Sequence, residues 1–147
     1  MQITADYNIS TYMIRSYGEG EVVVTKPLLT LESDEITAEN ADDTRQMTVT
    51  YQKPFIITAT QLVEDWTVNN PESIGQVDLE VIARLKPELV LLGTGKQIHF
   101  PDSRDMLFLQ QQGIGIEVMP TDAACRTYNF LVSDGRNVAA ALLMIEQ

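Results

Sequence analysis

Residues 88–95 read Glu-Leu-Val-Leu-Leu-Gly-Thr-Gly, an apolar run that ends at two glycines. Because residues 89–92 show no polar alternation, the run predicts a strand covered on both faces, as in a parallel α/β sheet. The Gly-Thr-Gly segment then follows the carboxyl end of that strand, which is where open α/β sheets bind their ligands. The sequence therefore predicts a binding crevice at Gly93, Thr94 and Gly95.

A second segment, residues 113–129, predicts a strand that leads into a helix. It reads Gly-Ile-Gly-Ile-Glu-Val-Met-Pro-Thr-Asp-Ala-Ala-Cys-Arg-Thr-Tyr-Asn. Thr121 is predicted to cap this helix, and Asp122 in its first turn suits the positive end of the helix dipole. If the two strands are neighbours, the glycine loop and the helix start lie side by side, and Thr121 joins the crevice.

Helix and strand patterns alternate from residue 78 onward. Asp78 is predicted to cap a helix that ends before Pro87, and a second helix is predicted over residues 103–112. After a break at residues 133–135, the spacing of apolar side chains over residues 138–145 predicts a final helix. Such alternation implies right-handed crossovers and a parallel pair of strands.

The first half of the chain is predicted to consist mostly of antiparallel strands. Residues 9–17 and 21–24 flank a Gly-Glu-Gly turn, and residues 28–31, 47–51 and 55–60 form further short strands. Between them, residues 32–43 carry six acids and no base. This acidic segment is predicted to be a solvated turn, because a calcium loop needs a glycine bend and regular oxygen spacing.

Length and composition predict one domain over residues 1–147. Hydrophobic residues make up 44% of the chain and charged residues 21%, which is ordinary for a globular protein. A single cysteine excludes an internal disulfide and favours a cytoplasmic location, and no secretory signal is expected. The longest apolar run, residues 138–145, is too short to span a bilayer, so no membrane insertion is expected.

The net charge of −11 is concentrated in the first half of the chain. Residues 1–80 hold 14 acids and 4 bases, whereas residues 81–147 hold 7 acids and 6 bases. An acidic chain repels phosphate backbones, so nucleic-acid binding is not expected. The acidic half could attract a basic protein partner, although acidity that merely keeps the protein soluble is the favoured interpretation.

The glycine loop does not match the nucleotide-binding motifs. A P-loop needs four residues between its first glycine and the Gly-Lys pair, and the dinucleotide fingerprint needs a third glycine where Ile98 stands. Backbone amides at such a turn can still hold a small anion. With one cysteine and one histidine, no Cys/His cluster can close a structural zinc site, and we expect no metal and no cofactor.

Cys125 and Arg126 are the candidate chemical groups near the helix start. A helix start and a neighbouring arginine both lower the pKa of a thiol, and His99 could act as the base, but a small core residue is the favoured interpretation of Cys125. Arg126 and Asn129 share a helix face, and Arg126 could hold a carboxylate of a ligand or of this chain. Arg136 is a second candidate for that face.

The chain resembles the Mth938-like proteins, a family of unknown function. The resemblance is carried, in order, by residues 86–95, Gly113-Ile114, residues 117–119, Thr121, residues 124–129 and residues 135–142. It implies a three-layer α/β/α sandwich with a mixed sheet, an antiparallel-rich N-terminal half and a βαβ-type C-terminal half. Family members in mitochondria assist assembly of the respiratory NADH dehydrogenase, complex I, beside a second assembly factor.

Together, the residues and the resemblance predict a protein-binding or assembly-factor-like module with a protein partner and no catalytic residues. The alternative is a small-anion or metabolite-binding protein, or an enzyme, that uses the glycine loop with Cys125 and Arg126. For either function, the predicted binding crevice comprises Gly93, Thr94, Gly95, Thr121, Cys125, Arg126, Asn129 and Arg136.

Overall fold

The computed structural model describes residues 11–27 and 47–146. The first strands along the chain form a small antiparallel sheet. Its strands, in the order β1-β2-β3, are β1 (Met13–Gly18), β2 (Glu21–Thr25) and β3 (Thr48–Tyr51). Val22 and Val24 of β2 are fully buried and alternate with partly exposed neighbours, so only one face of this sheet is covered. The predicted antiparallel strands are confirmed here, whereas the predictions for residues 28–31 and 32–43 lie outside the described residues.

A mixed five-stranded sheet forms the centre of the fold. In the order β5-β4-β8-β6-β7, its strands are β4 (Phe55–Thr58), β5 (Leu62–Val63), β6 (Leu89–Thr94), β7 (Gly115–Met119) and β8 (Val138–Leu143). Strands β8, β6 and β7 run parallel, and β4 pairs with β8 in the antiparallel direction. The predicted parallel pair, β6 and β7, is thus confirmed, and so is the mixed sheet.

Within the described residues, three α-helices cover the two faces of the five-stranded sheet. They are α1 (Gln76–Ala83), α2 (Ser103–Gln111) and α3 (Thr121–Ser133). One face packs against α1 and α2, and the opposite face packs against α3 together with the small sheet. This arrangement confirms the predicted α/β/α layers and explains the apolar run of β6, because Val90 and Leu92 face one core while Leu91 faces the other.

The final helix predicted over residues 138–145 is wrong. This segment forms β8, a central strand that pairs with β4 on one side and β6 on the other. All six of its residues are buried, so the strand has no polar face and its alternation cannot be seen in the sequence. Alanine favours helices in isolation, and tertiary pairing overrides that preference here.

Both predicted helix caps are displaced by a few residues. Pro120 occupies the N-cap of α3, and Thr121 is the first helical residue. Gly75 occupies the N-cap of α1, and the carboxylate of Asp78 accepts a hydrogen bond of 2.9 Å from the Gly75 amide. Asp78 therefore still satisfies a backbone donor at the helix start, but from the third helical position.

None of the helices in residues 11–27 and 47–146 is long and apolar enough to cross a membrane. The longest, α3, has 13 residues and carries polar side chains such as Arg126 on its exposed side. A helix needs about 20 apolar residues to span the hydrocarbon core of a bilayer.

Candidate functional site

The glycine loop after β6 is joined directly to the start of α3. The Gly95 amide donates a hydrogen bond of 2.8 Å to the Thr121 hydroxyl, and the Thr121 amide donates one of 2.9 Å to the Gly95 carbonyl. The same hydroxyl donates to the carbonyl of Leu143, at 2.6 Å. One buried threonine thus holds together the ends of β6 and β8 and the beginning of α3, and the predicted proximity of the glycine loop and the helix start is confirmed.

Gly93 allows α3 to approach the sheet closely. A β-carbon at this position would lie 3.0 Å from the Thr121 Cα and 2.9 Å from a methyl carbon of Leu142. These distances are shorter than normal van der Waals contacts, so a larger residue requires α3 or β8 to move. Gly93 therefore serves packing, and its own surface is buried.

The loop after Gly95 is held in place by the hydroxyl of Thr94. This hydroxyl donates a hydrogen bond of 2.7 Å to the Gln97 carbonyl and accepts one of 3.1 Å from the His99 amide. Gly95 itself has a φ of +95°, in the left-handed region that glycine adopts without steric cost. The chain consequently turns sharply at the sheet edge, and residues 96–99 are presented to solvent.

A cleft of about 570 Å³ opens at this edge of the sheet. It lies beyond the carboxyl ends of β6 and β8, at the position where α/β sheets bind ligands. Four segments line it: the β3–β4 turn (Gln52, Lys53, Pro54), the segment around Asn69, Asn70, Pro71 and Glu72, the loop after β6 (Thr94, Gly95, Lys96, Gln97, His99), and the end of β8 (Leu143, Met144, Glu146).

Two of the eight predicted crevice residues, Thr94 and Gly95, line this cleft. Sequence reasoning placed the crevice beyond the right strand but missed most of its wall, including Lys53, Asn70 and Lys96. The available signal was the polar run that follows Gly95 directly, because residues just after the carboxyl end of a parallel strand face the crevice. Nothing in the local sequence pointed to Lys53 or Asn70.

Cys125 lies in the core, with 1% of its surface exposed. Burial raises the pKa of its thiol to about 12, and the nearby Asp122 carboxylate acts in the same direction against the weaker effect of Arg126. The expectation that the helix start and Arg126 would lower this pKa is wrong, since desolvation dominates. The interpretation as a small core residue is confirmed, and Cys125 has no access to the cleft as a nucleophile.

Arg126 and Asn129 share a face of α3, as predicted, and that face is turned toward β1. The Asn129 side chain accepts a hydrogen bond from the Ile14 amide at 2.9 Å and donates one to the Ile14 carbonyl at 2.7 Å. Arg126 Nη1 donates to the Tyr17 hydroxyl at 2.8 Å and lies 3.6 Å from the Asp122 carboxylate. Both side chains therefore dock the small sheet on α3.

Arg136 lies at the opposite edge of the five-stranded sheet from Gly95. It contacts the carboxylate of Glu88, just before β6, at 3.1 Å and 3.4 Å. The Asn137 amide donates to the same carboxylate at 3.0 Å. Arg136 is consequently separated from the cleft by the length of β6 and does not line it.

No group of three or more metal-binding side chains converges anywhere in residues 11–27 and 47–146. In the cleft itself, His99 is accompanied by the carboxylates of Glu72 and Glu146 and by amide side chains. The cleft is therefore a mixed polar surface with two lysines, rather than a recognisable catalytic or metal centre.

The chain is similar to proteins from bacteria and animals. It is 33% identical over 94 residues to the "13 kDa major membrane protein" of Francisella tularensis subsp. holarctica, a match that covers 63% of this chain and 76% of that protein. It is 38% identical over 80 residues to "NADH dehydrogenase (ubiquinone) 1 alpha subcomplex assembly factor 3" of Xenopus tropicalis. That match covers 53% of this chain and 44% of the frog protein, so it spans less than half of the assembly factor.

The fold also matches a solved structure along its whole length. A Bordetella pertussis protein, described as a Mth938-like domain from its solution NMR structure, superposes with a TM-score of 0.70. The superposition covers 100% of this chain and 94% of the other at 22% identity, which establishes a shared fold. The model of the protein family of unknown function DUF498/DUF598 matches residues 14–143. The chain is therefore a member of the DUF498/DUF598 family with a Mth938-like fold.

Proposed function

We propose that this protein is a protein-binding module that acts in the assembly of a membrane-bound NADH dehydrogenase. The similarity to a complex I assembly factor supports this role. The structural roles of four predicted crevice residues also support it. Cys125 is buried, the Thr121 hydroxyl joins three chain segments, and Arg126 and Arg136 contact Tyr17 and Glu88.

The observation that carries the proposal is the exposure of three large apolar side chains, Ile98, Phe100 and Leu107, here called the apolar surface. Their exposed fractions are 46%, 67% and 47%, although large apolar side chains are normally buried. All three belong to one ten-residue segment, the loop after β6 and the second turn of α2. Clustered exposed apolar side chains mark protein contact sites, and aromatic residues such as Phe100 often dominate the affinity.

This apolar surface borders the cleft. Lys96, Gln97 and His99 line the cleft, while Ile98 and Phe100 alternate with them along the same loop. The Thr94 hydroxyl fixes the base of that loop, so a partner meets a preorganised surface and less conformational entropy is lost on binding. We therefore expect the partner to contact this loop and α2.

The test is affinity purification from the native host followed by identification of the captured proteins. Wild type is compared with the double variant Ile98→Ser/Phe100→Ser and with Phe130→Ser. Phe130 is a matched control because it is 71% exposed but lies on α3, on the opposite face of the central sheet. Circular dichroism and thermal unfolding establish that each variant is folded.

Wild type and Phe130→Ser are expected to capture NADH dehydrogenase subunits or a dedicated assembly protein, and the double variant is expected to lose them. Native gels of cells lacking the protein are expected to show less assembled complex. Capture of the same subunits by all three proteins would show that the contact surface lies elsewhere on the fold. Normal complex levels in the deletion strain, with no such subunits captured, would refute the assembly role. Cell fractionation in the same experiment tests the predicted cytoplasmic location.

A further inference from the structure

We propose that the cleft beyond β6 and β8 binds a small molecule with one anionic group, a carboxylate or a phosphate, and with hydroxyl or amino groups at its other end. This binding site adjoins the proposed protein contact but uses other side chains of the same loop. Its volume of about 570 Å³ falls in the range of small-molecule sites, roughly 300 to 1,000 Å³. Its position beyond parallel strand ends is the usual one for ligands in α/β folds.

The anionic group is specified by Lys53, Lys96 and His99. The chain has four lysines and a net charge of −11, yet two of those lysines line this one cleft. Within the described residues, neither lysine forms an ion pair with a carboxylate. Both ammonium groups are therefore available to a ligand, and charge-assisted hydrogen bonds to a carboxylate or phosphate are stronger than neutral ones.

The loop that carries Lys96 and His99 is preorganised for binding. Its base is fixed by the Thr94 hydroxyl, which contacts the Gln97 carbonyl and the His99 amide. Its first residue, Gly95, is joined to Thr121 of α3 by two hydrogen bonds, one that Gly95 donates and one that it accepts. Because the backbone of this loop is already ordered, a ligand does not have to order it, and more of the interaction energy appears as affinity.

The rest of the cleft restricts the class of ligand. Glu72 and Glu146 add two carboxylates to the lining of the cleft, and Asn69, Asn70 and Gln97 add amide groups. Carboxylates repel a second anionic group but accept hydrogen bonds from hydroxyl or amino groups. Leu143 and Met144 supply apolar surface from the end of β8. A polyanion is thus disfavoured. A monoanion that also carries hydroxyl or amino groups can bind both the lysines and the carboxylates of the cleft.

The test is an NMR titration of the ¹⁵N-labelled protein. The probes are glycerol 3-phosphate, glycerate, inorganic phosphate and neutral glycerol. Wild type is compared with Lys53→Gln/Lys96→Gln and with the control Lys26→Gln. Lys26 is exposed and follows β2 at the end far from the cleft, since Thr25 pairs with Met13 and Thr48. Both cleft lysines are also exposed, so these substitutions leave the core unchanged.

We expect saturable shifts at the amides of residues 52–53 and 94–99 with glycerol 3-phosphate, glycerate or both, and whichever binds identifies the anionic group. The double variant is expected to weaken binding by about tenfold or more, and Lys26→Gln by less than about twofold. The proposal is overturned if neither glycerol 3-phosphate nor glycerate gives saturable shifts at these amides. It is also overturned if the double variant binds these two compounds as tightly as wild type does. Equal binding of glycerol, or of inorganic phosphate, would overturn the stated ligand class.

Discussion

Gly95 and Thr121 are joined by two hydrogen bonds of opposite direction, although 26 residues separate them in the chain. Each residue uses its amide as a donor, while Thr121 accepts with its hydroxyl and Gly95 with its carbonyl. Because the hydroxyl also donates to the Leu143 carbonyl, this one buried group connects β6, β8 and α3. The geometry of the cleft therefore depends on a residue that does not line it.

The first prediction concerns the Thr121 hydroxyl. Thr121→Val keeps the shape of the side chain but leaves the Gly95 amide and the Leu143 carbonyl without their buried partner. We expect a loss of about 2 to 4 kcal/mol in the free energy of unfolding, because each buried unsatisfied group costs about 1 to 3 kcal/mol. Denaturant unfolding gives this value from the shift in midpoint at constant slope.

Thr127→Val is the matched control, since it is the same substitution in the same helix at a half-buried position. A Thr121→Val midpoint no lower than that of Thr127→Val would show that the hydroxyl is not needed to join the three segments.

The second prediction concerns the close approach at Gly93. Gly93→Ala places a β-carbon 3.0 Å from the backbone of Thr121, so α3 must shift away from β6. We expect destabilisation of about 1 to 3 kcal/mol, as for other overpacked cores. Gly18→Ala is the control because a β-carbon there meets nothing within 4 Å, and it should stay within about 0.5 kcal/mol of wild type. Equal stability of the two variants would contradict the close contact.

The third prediction concerns the reactivity of Cys125. Its pKa is raised to about 12 from a normal value of 9.0. At about pH 8 this shift lowers the thiolate fraction roughly a thousandfold, and burial further blocks access of the reagent. We therefore expect iodoacetamide to modify the native protein at least a hundredfold more slowly than the urea-unfolded protein. Comparable rates for the two forms would place the thiol outside the core and restore it as a candidate nucleophile.

The fourth prediction concerns the pH dependence set by Glu88 and Arg136. Hydrogen bonds from the Arg136 side chain and the Asn137 amide hold the pKa of the Glu88 carboxyl below its ordinary value. A lowered pKa in the folded state means that this stabilisation is present above the pKa of the unfolded chain and disappears as the pH falls through the folded value. Glu88→Gln is therefore expected to lower the Tm at neutral pH and to match wild type in strong acid.

Thermal unfolding from neutral to acidic pH measures that difference. Glu117→Gln serves as its control, since Glu117 is an exposed carboxylate on β7. If the difference in Tm between Glu88→Gln and wild type stays constant with pH, the contact with Arg136 does not depend on the charge of Glu88.

Several parts of the fold follow from local sequence patterns. The uninterrupted apolar run of residues 89–92 identified a strand covered on both faces, and the structure buries Leu91 and Leu92 in opposite cores. The glycine turn at residues 18–20 identified the hairpin of β1 and β2. These features are readable because the side chains that determine them are neighbours in the chain.

The last strand required tertiary information. Residues 138–143 read Val-Ala-Ala-Ala-Leu-Leu, which lacks both a polar face and a turn signal. A fully buried strand and a buried helix have the same apolar composition, so periodicity cannot separate them. The distinction is made by β4 and β6, whose free backbone groups on either side are satisfied only by an extended β8.

The sequence by itself determined that a glycine turn follows a buried parallel strand and lies beside the start of a helix. Only the tertiary structure decided which side chains surround that turn. The order of the strands in the sheets brings Lys53 and Asn70 to the cleft. The side chains of Arg126 and Arg136 instead contact Tyr17 of β1 and Glu88. The physical reason is that a strand end is a local property, but a cleft is formed by segments that only sheet pairing brings together.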